Sequence, residues 1–338
     1  MTELKKSGAH LKPVETISDT TSEQKQSDSP AGGLIGLAPI ALFAYNRPEH
    51  LRRTVERLQE NTLASQSDLH IFSDGAKDSN SLNAVREVRR FIRTIDGFRS
   101  MAIIERSENF GLANSVIDGI SQLCDRSGQV ISVEDDLLTS PDFLRFMNAA
   151  LDRYRFDAQV FSIGAINFAI DIPPDYSYDA FFSYRSCSIG WATWKDRWRQ
   201  ADWQLADYSE SRLDRRRLEK FRRGGGDLPR MLAKQMAGQL DSWAIRWAYA
   251  HAMHDAVALM PTQSRVYHIG YDGSGTNCRN LPLPQGELAS GKASTPYKFP
   301  DSLLPKPSFA RQLREMHPGS FVGRLRKYVF LKFSGSRF

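Results

Sequence analysis

Cysteine is scarce in this 338-residue chain, which carries only Cys124, Cys187 and Cys278. The three form no CxxC pair and have no spacing typical of metal ligands, so neither a zinc site nor a disulfide scaffold is indicated. A single Cys187–Cys278 bridge stays open at this point. The simpler interpretation is a protein of a reducing, cytoplasmic compartment.

Long apolar runs are missing as well. No stretch approaches the roughly 20 residues that a membrane-spanning helix needs, and the N-terminus lacks the apolar core of a signal peptide. These absences predict a cytoplasmic protein that is soluble or peripheral at the inner face of the membrane. Hydrophobic residues make up 41% of the chain and charged residues 25%, which are ordinary values for a globular domain with a sizeable core.

The charge balance is mildly basic, with a formal net charge of +6 and a pI near 9.2. This excess suits an anionic partner but does not choose among a nucleotide diphosphate, a phospholipid surface and a nucleic acid. No nucleic-acid-binding motif accompanies it, so no nucleic-acid partner is predicted. The basic run between residues 212 and 223 is interpreted as a solvated helical face.

Strand-like and helix-like segments alternate through the first half of the chain. Residues 1–36 are polar and predict a disordered leader, and the apolar run Ile40–Ala44 predicts the first buried strand. Three more strand-and-helix repeats follow up to about residue 154. This alternation predicts an α/β fold, a mostly parallel sheet with helices on both faces.

The second half is less regular and carries most of the tryptophans. We interpret it as the end of the same domain, 37–291, with an irregular acceptor-binding part, followed by a basic C-terminal extension, 292–338. Residues 321–333 mix basic and large apolar side chains. They suit contact with an anionic membrane surface, or equally a short docking helix or strand.

In a parallel sheet, ligands bind at the carboxyl ends of the strands. Three segments occupy such ends: Tyr45-Asn46-Arg47, Ser73-Asp74-Gly75 and Glu134-Asp135-Asp136. Three adjacent carboxylates repel one another, so a compensating cation is expected, and hard oxygen ligands suit Mn²⁺ or Mg²⁺. Alternatively, the triplet is a solvated acidic turn or a helix cap.

An ordered set of motifs makes the chain recognisable. It resembles glycosyltransferases of the GT-A fold, in particular bacterial family-2-type sugar transferases and the N-acetylglucosaminyltransferase I family. The resemblance runs from about residue 38 to residue 170 and is weaker beyond. It is carried by Pro39–Pro48, Phe72-Ser73-Asp74, Asn109–Ala113 and Val133–Leu137, and more weakly by Gly190–Trp194, Asp241-Ser242-Trp243 and Gly270–Gly275.

The resemblance implies a nucleotide-sugar donor, with UDP preferred, and a role for each matching residue. Arg47 would contact the nucleotide, and Asp74 would hydrogen-bond the base. Asn109 and Gly111 would lie beside the nucleotide sugar. The alternatives are an ion pair at the sheet edge for Arg47, a common turn for Asp74-Gly75 and a helix-capping loop for Asn109–Gly111.

The acidic triplet receives its roles from the same resemblance. Glu134 is included among the donor-binding residues, Asp135 would meet the ribose or the donor sugar, and Asp136 would ligate the metal. His268 is a further candidate for a metal or diphosphate contact, although a structural histidine is the simpler interpretation. The glycine-punctuated segment after it has neither a Walker A nor a Rossmann fingerprint.

Two residues of the second half are candidates for the acceptor side. Transfer with inversion needs a base that removes the proton of the acceptor hydroxyl group, and Asp241, at a predicted helix start, is our candidate. The alternative is an acid that stabilises the helix dipole. Trp191 beside Gly190 is the candidate face on which an acceptor sugar stacks.

These observations predict a metal-dependent, inverting glycosyltransferase whose acceptor is a glycan or a lipid-linked glycan. One rival is a nucleotidyltransferase that makes nucleotide sugars, but the first strand is followed by Tyr45–Pro48 and not by the glycine-rich phosphate loop that such an enzyme needs. The other rival is a degenerate domain that binds a nucleotide sugar or glycan without turnover.

Overall fold

The structure is a computed structural model, and it describes residues 36–273, 284–291 and 296–319. Apart from Gly36, the predicted leader lies outside these residues, as do Cys278 and residues 321–333. Cys187 is a free, buried thiol. The domain boundaries 37–291 and 292–338 stay predictions.

The first half of the chain alternates strands and helices as predicted. The five residues of β1 (Ile40–Ala44) are all buried, and α1 (Pro48–Gln59) begins with a proline in its first turn, where a missing N–H costs nothing. The elements that follow are β2 (Asp68–Ser73), α2 (Leu82–Ile92), β3 (Ser100–Glu105), α3 (Gly111–Ser127), β4 (Gln129–Glu134), β5 (Leu137–Thr139) and α4 (Phe143–Tyr154). The last of these helices begins at Phe143, directly after Asp142.

The second half contains shorter elements, and between β8 and β9 it consists of helices only. Its elements are β6 (Val160–Gly164), β7 (Ala180–Ser183), β8 (Trp191–Trp194), α5 (Lys195–Trp198), α6 (Tyr208–Ser211), α7 (Arg215–Arg222), α8 (Leu228–Met236), α9 (Trp243–Met253), β9 (Val257–Pro261), β10 (Val266–His268) and α10 (Pro307–Met316). Among the described helices, none is long and apolar enough to cross a membrane.

Eight strands form one sheet in the order β3-β2-β1-β4-β8-β6-β9-β7. Parallel pairing joins β1 to β2 and β4, β2 to β3, and β6 to β9, whereas β8 and β7 run antiparallel to their neighbours. The predicted α/β fold with a mostly parallel sheet is therefore confirmed. β5 and β10 form a separate antiparallel ribbon.

Apolar side chains cover both faces of this sheet. Ile40 and Leu42 of β1 pack with α1, α2 and α4, and the alternating residues Ala41 and Phe43 pack with α3 and α9 on the opposite face. Gly119 lets α3 approach the sheet closely, because a Cβ there would lie 2.8 Å from the Phe43 ring. A strand buried on both faces reads as an unbroken apolar run, as in β1.

The described part of the predicted C-terminal extension packs on the same core. Phe309 and Leu313 of α10 are buried in it, and the rings of Tyr297 and Phe299 contact Phe146 at centroid distances of 5.3 and 5.6 Å. These contacts join residues 296–319 to the α4 side of the sheet.

Candidate active site

The carboxyl ends of β2, β1 and β4 lie side by side at one edge of the sheet. The register pairs Ala44 with Ser73 and Phe43 with Glu134, so the residues that follow these strands share this edge. Arg47 follows β1, Asp74 follows β2 and Asp135 follows β4. Sheet geometry thus brings together the three segments that the sequence predicts as ligand-binding.

Asp135 and Asp136 form a buried carboxylate pair whose charge Arg47 compensates in part. Each aspartate is 3% exposed. The Arg47 guanidinium donates a hydrogen bond to Asp135 and lies 2.8 Å from Oδ2 of Asp136. Burial alone would lower the pKa of Arg47, but the two carboxylates outweigh it and raise that pKa. The predicted ion pair of Arg47 is present, and it lies in the site.

The remaining carboxylate oxygens of this pair fit a bound cation. Oδ2 of Asp135 and Oδ1 of Asp136 are buried and accept no hydrogen bond from any described residue. A buried acceptor without a partner is costly, and a hard cation would satisfy both oxygens. Among the described residues, no group of three or more His, Cys, Asp or Glu side chains that could hold a metal ion is present. Two carboxylate oxygens are fewer than a hard cation needs, so a metal here would require further oxygen ligands, such as those of a diphosphate.

His268 reaches the same carboxylates through strand pairing. β10 pairs with β5 so that His268 lies opposite Leu137, and its Nε2 is 3.4 Å from Oδ2 of Asp136. Burial lowers the pKa of His268, against the opposing effect of Asp136, so the imidazole is neutral near pH 7. A neutral imidazole is a metal ligand. The position of His268 beside Asp136 is compatible both with a metal or diphosphate contact and with a structural hydrogen bond to Asp136.

The backbone after β10 closes tightly over the pair. The amide of Ile269 donates a hydrogen bond of 2.9 Å to the carbonyl oxygen of Asp136. A Cβ on Gly270 would collide with the Asp136 carboxylate and approach Nη1 of Arg47 to 3.0 Å. Only glycine fits there without a shift, which explains one glycine of the segment that follows His268.

Glu134 completes the acidic triplet at the end of β4. Burial raises its pKa to about 8, with further contributions from Asp136 and Asp135, and Arg47 opposes the shift. Burial also raises the pKa of Asp135. The triplet therefore does not hold three negative charges at neutral pH without an added cation.

The variant Glu134→Gln is expected to stabilise the metal-free protein at alkaline pH. Because the folded-state pKa of about 8 lies above the ordinary 4.5, proton uptake favours the folded state. This contribution is complete below pH 4.5 and is lost as the pH rises through 8, while glutamine stays neutral throughout. We expect the variant to gain about 1–3 kcal/mol over wild type at pH 9 and nothing near pH 4.5.

Urea unfolding in EDTA at the two pH values measures this difference. Glu49, whose side chain is 74% exposed, supplies the control variant Glu49→Gln. A gain for Glu134→Gln of the same size at both pH values would show that packing, and not protonation, is responsible.

Asp74 anchors a loop instead of presenting a free carboxylate. Its Oδ1 accepts hydrogen bonds from the amides of Gly75 and Phe110, and its Oδ2 accepts from the Gly111 amide and the Asn109 side chain. These four donors use the acceptor positions of the carboxylate. The geometry is therefore against the predicted contact of Asp74 with a base and favours a role in positioning Asn109 and Gly111.

Asp241 lies beside this loop, across the sheet edge from the acidic pair. Gly111, with φ of +73°, would bring a Cβ to 3.8 Å from Oδ2 of Asp241. The Asp241 side chain is 66% exposed, and Arg246 lies 3.6 Å from its Oδ1. Because β1 separates β2 from β4, the loop after β2 and the acidic pair after β4 are about 10 Å apart, or two strand spacings. We refer to the space between them as the cleft.

Asp241 lies next to the N-terminus of α9, so the alternative of an acid that stabilises the helix dipole stays open. Ser242 is the residue that caps α9, and its hydroxyl group accepts a hydrogen bond from the amide of Ile245. Asp241 precedes the cap and projects into solvent at the cleft. This position suits a group that meets a substrate.

Trp191 does not offer a face to an acceptor, so that prediction is wrong. Its side chain is 0% exposed and stacks on Trp243 at a centroid distance of 4.9 Å, with Trp198 and Trp247 also in contact. The side chain belongs to a tryptophan cluster between the sheet and α9. Sequence position beside Gly190 does not reveal which way a strand side chain points.

A groove of about 130 Å³ opens next to α9. It is lined by Trp243, two residues after Asp241, by residues of α8 and by the 185–189 segment. Arg185 lines it and pairs with Asp227 at 2.9 Å. The groove combines apolar walls with several polar side chains: Arg185, Ser186, Ser188 and His317.

Sequence reasoning missed some of the residues that hold the site. The hydroxyl group of Thr54 donates a hydrogen bond to the carbonyl oxygen of Asp135 and accepts one from the amide of Leu137. Thr54 lies at helical spacing from Leu51 and Leu58, on the buried face of α1, but this spacing does not reveal its hydrogen bonds to Asp135 and Leu137. Gly270 had a signal, since a glycine two residues after a strand suggests close backbone approach.

No protein-family model matches the chain. No curated protein matches it either.

Three similar solved structures are the mannosyltransferase PcManGT from Pyrobaculum calidifontis in complex with GDP-Man and Mn²⁺, TarS from S. aureus, and an active-site mutant of LgtC. The identities are 12%, 9% and 12%, and the TM-scores are 0.37, 0.36 and 0.30. The matches cover 66%, 69% and 48% of this chain and 71%, 37% and 60% of the other chains. At TM-scores below 0.5 the likeness carries no argument about the fold or the activity of this chain. The chain is structurally similar, at low identity, to glycosyltransferases of the GT-A fold.

Proposed function

We propose that the chain is a metal-dependent glycosyltransferase that moves a sugar from a nucleoside diphosphate to a hydroxyl group of a glycan. The buried pair of Asp135 and Asp136 is the observation that carries the proposal, since two of its oxygens lack hydrogen bonds and both carboxylates pair with Arg47. UDP is the predicted nucleotide on the resemblance alone, because the Asp74 carboxylate is occupied within the protein.

Asp136, His268 and Asp135 are the groups that would hold Mn²⁺ or Mg²⁺. When bound, such an ion supplies positive charge that stabilises the departing diphosphate. Arg47 is the second cation at this place, and a diphosphate that arrives at the cleft offers its guanidinium a new partner. In the free protein, Arg47 is the cation that pairs with the two carboxylates. In the complex with donor and metal, the metal would pair with the carboxylates, and Arg47 would pair with the diphosphate.

Asp241 would act on the acceptor. Its carboxylate takes the proton of the acceptor hydroxyl group as that oxygen bonds to the anomeric carbon, while the bond from this carbon to the diphosphate oxygen breaks. Attack from the side opposite the leaving group inverts the anomeric configuration. The exposed position of Asp241 across the cleft from the acidic pair supports this division of roles.

The acceptor belongs to the glycan class in this proposal, with a lipid-linked glycan included. The groove beside Trp243 has room for one end of such a molecule. Contact of residues 321–333 with an anionic membrane, which would suit a lipid-linked acceptor, is a prediction that lies outside the described residues.

A panel of nucleotide sugars tests the proposal. Release of the free nucleotide from UDP- and GDP-sugars is measured with Mn²⁺, with Mg²⁺ and with EDTA. Metal-dependent release from one donor supports the proposal. Donor binding without release would identify a binding domain that lacks turnover, and neither binding nor release from any donor would refute the transferase assignment.

A further inference from the structure

A second pocket lies in the helical part of the chain between β8 and β9, apart from the carboxylate pair. Its volume is about 350 Å³, within the range of small-molecule sites of about 300–1,000 Å³. α6, α7, α8 and α9 all contribute to its wall. Arg212, Arg217 and Arg230 line it together with Tyr208 and Tyr249. The proposed transfer reaction does not use this pocket.

The segment around the pocket carries most of the excess positive charge of the protein. Residues 205–236 contain nine Arg and Lys against five Asp and Glu, a net charge of +4 out of +6 for the whole chain. Arg212 and Arg230 are exposed, and neither forms an ion pair with another residue in the described ranges. The pocket therefore has two cations whose charge is not balanced locally.

The third arginine is held in place at the pocket wall. Arg217 pairs with Asp207 and lies 3.7 Å from Oδ2 of Asp214. The hydroxyl group of Tyr249 is buried near this guanidinium, yet it makes no hydrogen bond of ordinary geometry with a described residue. A phenol in this position can donate a hydrogen bond to an anion.

The other walls of the pocket are apolar. Phe221 and Leu232 are 2% and 3% exposed and line the pocket with Leu218 and Pro229. A ligand that fits both kinds of wall combines an anionic group with a ring that has apolar faces. Arginine guanidinium groups bind phosphate and carboxylate oxygens in pairs, and a pyranose ring packs on apolar and aromatic side chains.

We propose that this pocket binds an acidic sugar, a pyranose that carries a phosphate or carboxylate group. In the acceptor glycan such a unit would lie beyond the reacting hydroxyl group, since Trp243 and Tyr249 are separated by about 9 Å along α9. The role in acceptor recognition rests on the proposed transferase function, but the binding of the acidic sugar does not.

Isothermal titration with three sugars tests the binding. Glucose 6-phosphate carries the phosphate, glucuronate the carboxylate, and glucose neither. We expect at least one acidic sugar to bind, and glucose to bind weaker by about tenfold or more, because a charge-assisted hydrogen bond contributes about 1.5–3 kcal/mol. The acidic sugar that binds shows whether the pocket recognises a phosphate or a carboxylate group. Equal binding of all three sugars, or no binding of any, would overturn the proposal.

Paired variants locate the binding in the pocket. Arg212→Gln with Arg230→Gln removes the two unbalanced charges, and we expect roughly tenfold weaker binding of the acidic sugar. Arg215→Gln with Arg216→Gln removes the same charge from exposed positions of α7 that do not line the pocket, and less than about threefold loss is expected. Equal losses in the two pairs would show general electrostatic attraction and refute the pocket.

A third measurement separates this proposal from the transferase assignment. The pocket pair is expected to keep metal-dependent binding of the nucleotide sugar at the wild-type level, since neither arginine lies at the carboxylate pair. Tyr249→Phe keeps the ring and removes the hydroxyl group. It should weaken binding of the acidic sugar and leave binding of the nucleotide sugar unchanged. Binding of acidic sugars in the pocket without binding of any nucleotide sugar would support this inference and contradict the transferase assignment.

Discussion

Asp136→Ala is expected to remove metal-dependent binding of the nucleotide sugar and to lower kcat/KM by about a thousandfold or more. Asp136 contributes the carboxylate that Arg47 and His268 both approach, at 2.8 and 3.4 Å, and one of its oxygens is buried without a hydrogen bond. Without the Asp136 carboxylate, the metal ion would lose a central ligand. The diphosphate would then lose the positive charge of that ion, which attracts it to the site.

The loss has to be separated from a loss of the fold. Removing one partner of a buried ion pair is destabilising, because Arg47 would keep only Asp135. The isosteric variant Asp136→Asn keeps the packing against Gly270, and the melting temperature of both variants is measured first. Asp152→Ala, which removes an exposed carboxylate of α4, is the matched control and should leave binding unchanged. Metal-dependent donor binding that survives in folded Asp136→Asn and Asp136→Ala would contradict the assigned role.

Asp241→Asn is expected to abolish transfer while donor binding persists. A positioned general base contributes about 10²–10⁴-fold, so kcat should fall by that factor. Asparagine has nearly the same size, and the side chain is 66% exposed, so the fold and the carboxylate pair at the end of β4 should be unaffected. The donor dissociation constant should stay within about twofold of wild type, since the group acts on the acceptor only.

The split between kcat and KM distinguishes a base from a positioning residue. If Asp241 accepts the proton, Asp241→Asn lowers kcat with the acceptor KM nearly unchanged, whereas losing a residue that only positions the acceptor raises this KM. Asp301→Asn, at a side chain that is 87% exposed, is the control for the amide substitution. Unchanged kcat in Asp241→Asn would remove both the base and the reason to expect inversion.

Much of the fold could be predicted because its strands are buried on both faces. β1 reads as an apolar run, and the helices between strands show apolar residues at helical spacing, so the alternation and the mostly parallel sheet follow from local pattern. β5 could not be predicted, because a three-residue strand such as Leu137–Thr139 has too few positions to show a hydrophobic period. Without β5, its pairing with β10 was hidden, and so was the approach of His268 to Asp136.

The sequence predicts those parts of the candidate site whose location depends only on following the end of a strand. Arg47, Asp74 and Asp135 follow neighbouring strands, and parallel pairing brings them to one edge. The roles of single side chains depend on contacts that are distant in the chain. Asp74 is occupied by amides some 36 residues away, and Trp191 meets Trp243 and Trp247 on a helix that is remote in sequence. Neither a turn motif nor a neighbouring glycine carries that information.

The most direct test of the account is a titration of UDP into the wild-type protein with Mn²⁺ and with EDTA. The resemblance predicts UDP as the nucleotide, and the buried carboxylates predict that its affinity falls by roughly a hundredfold or more from Mn²⁺ to EDTA, because the diphosphate then meets two carboxylates that Arg47 compensates only in part. Equal binding of UDP in Mn²⁺ and in EDTA would contradict a metal site at Asp135 and Asp136. Absence of binding in both would contradict a uridine nucleotide site at this edge of the sheet.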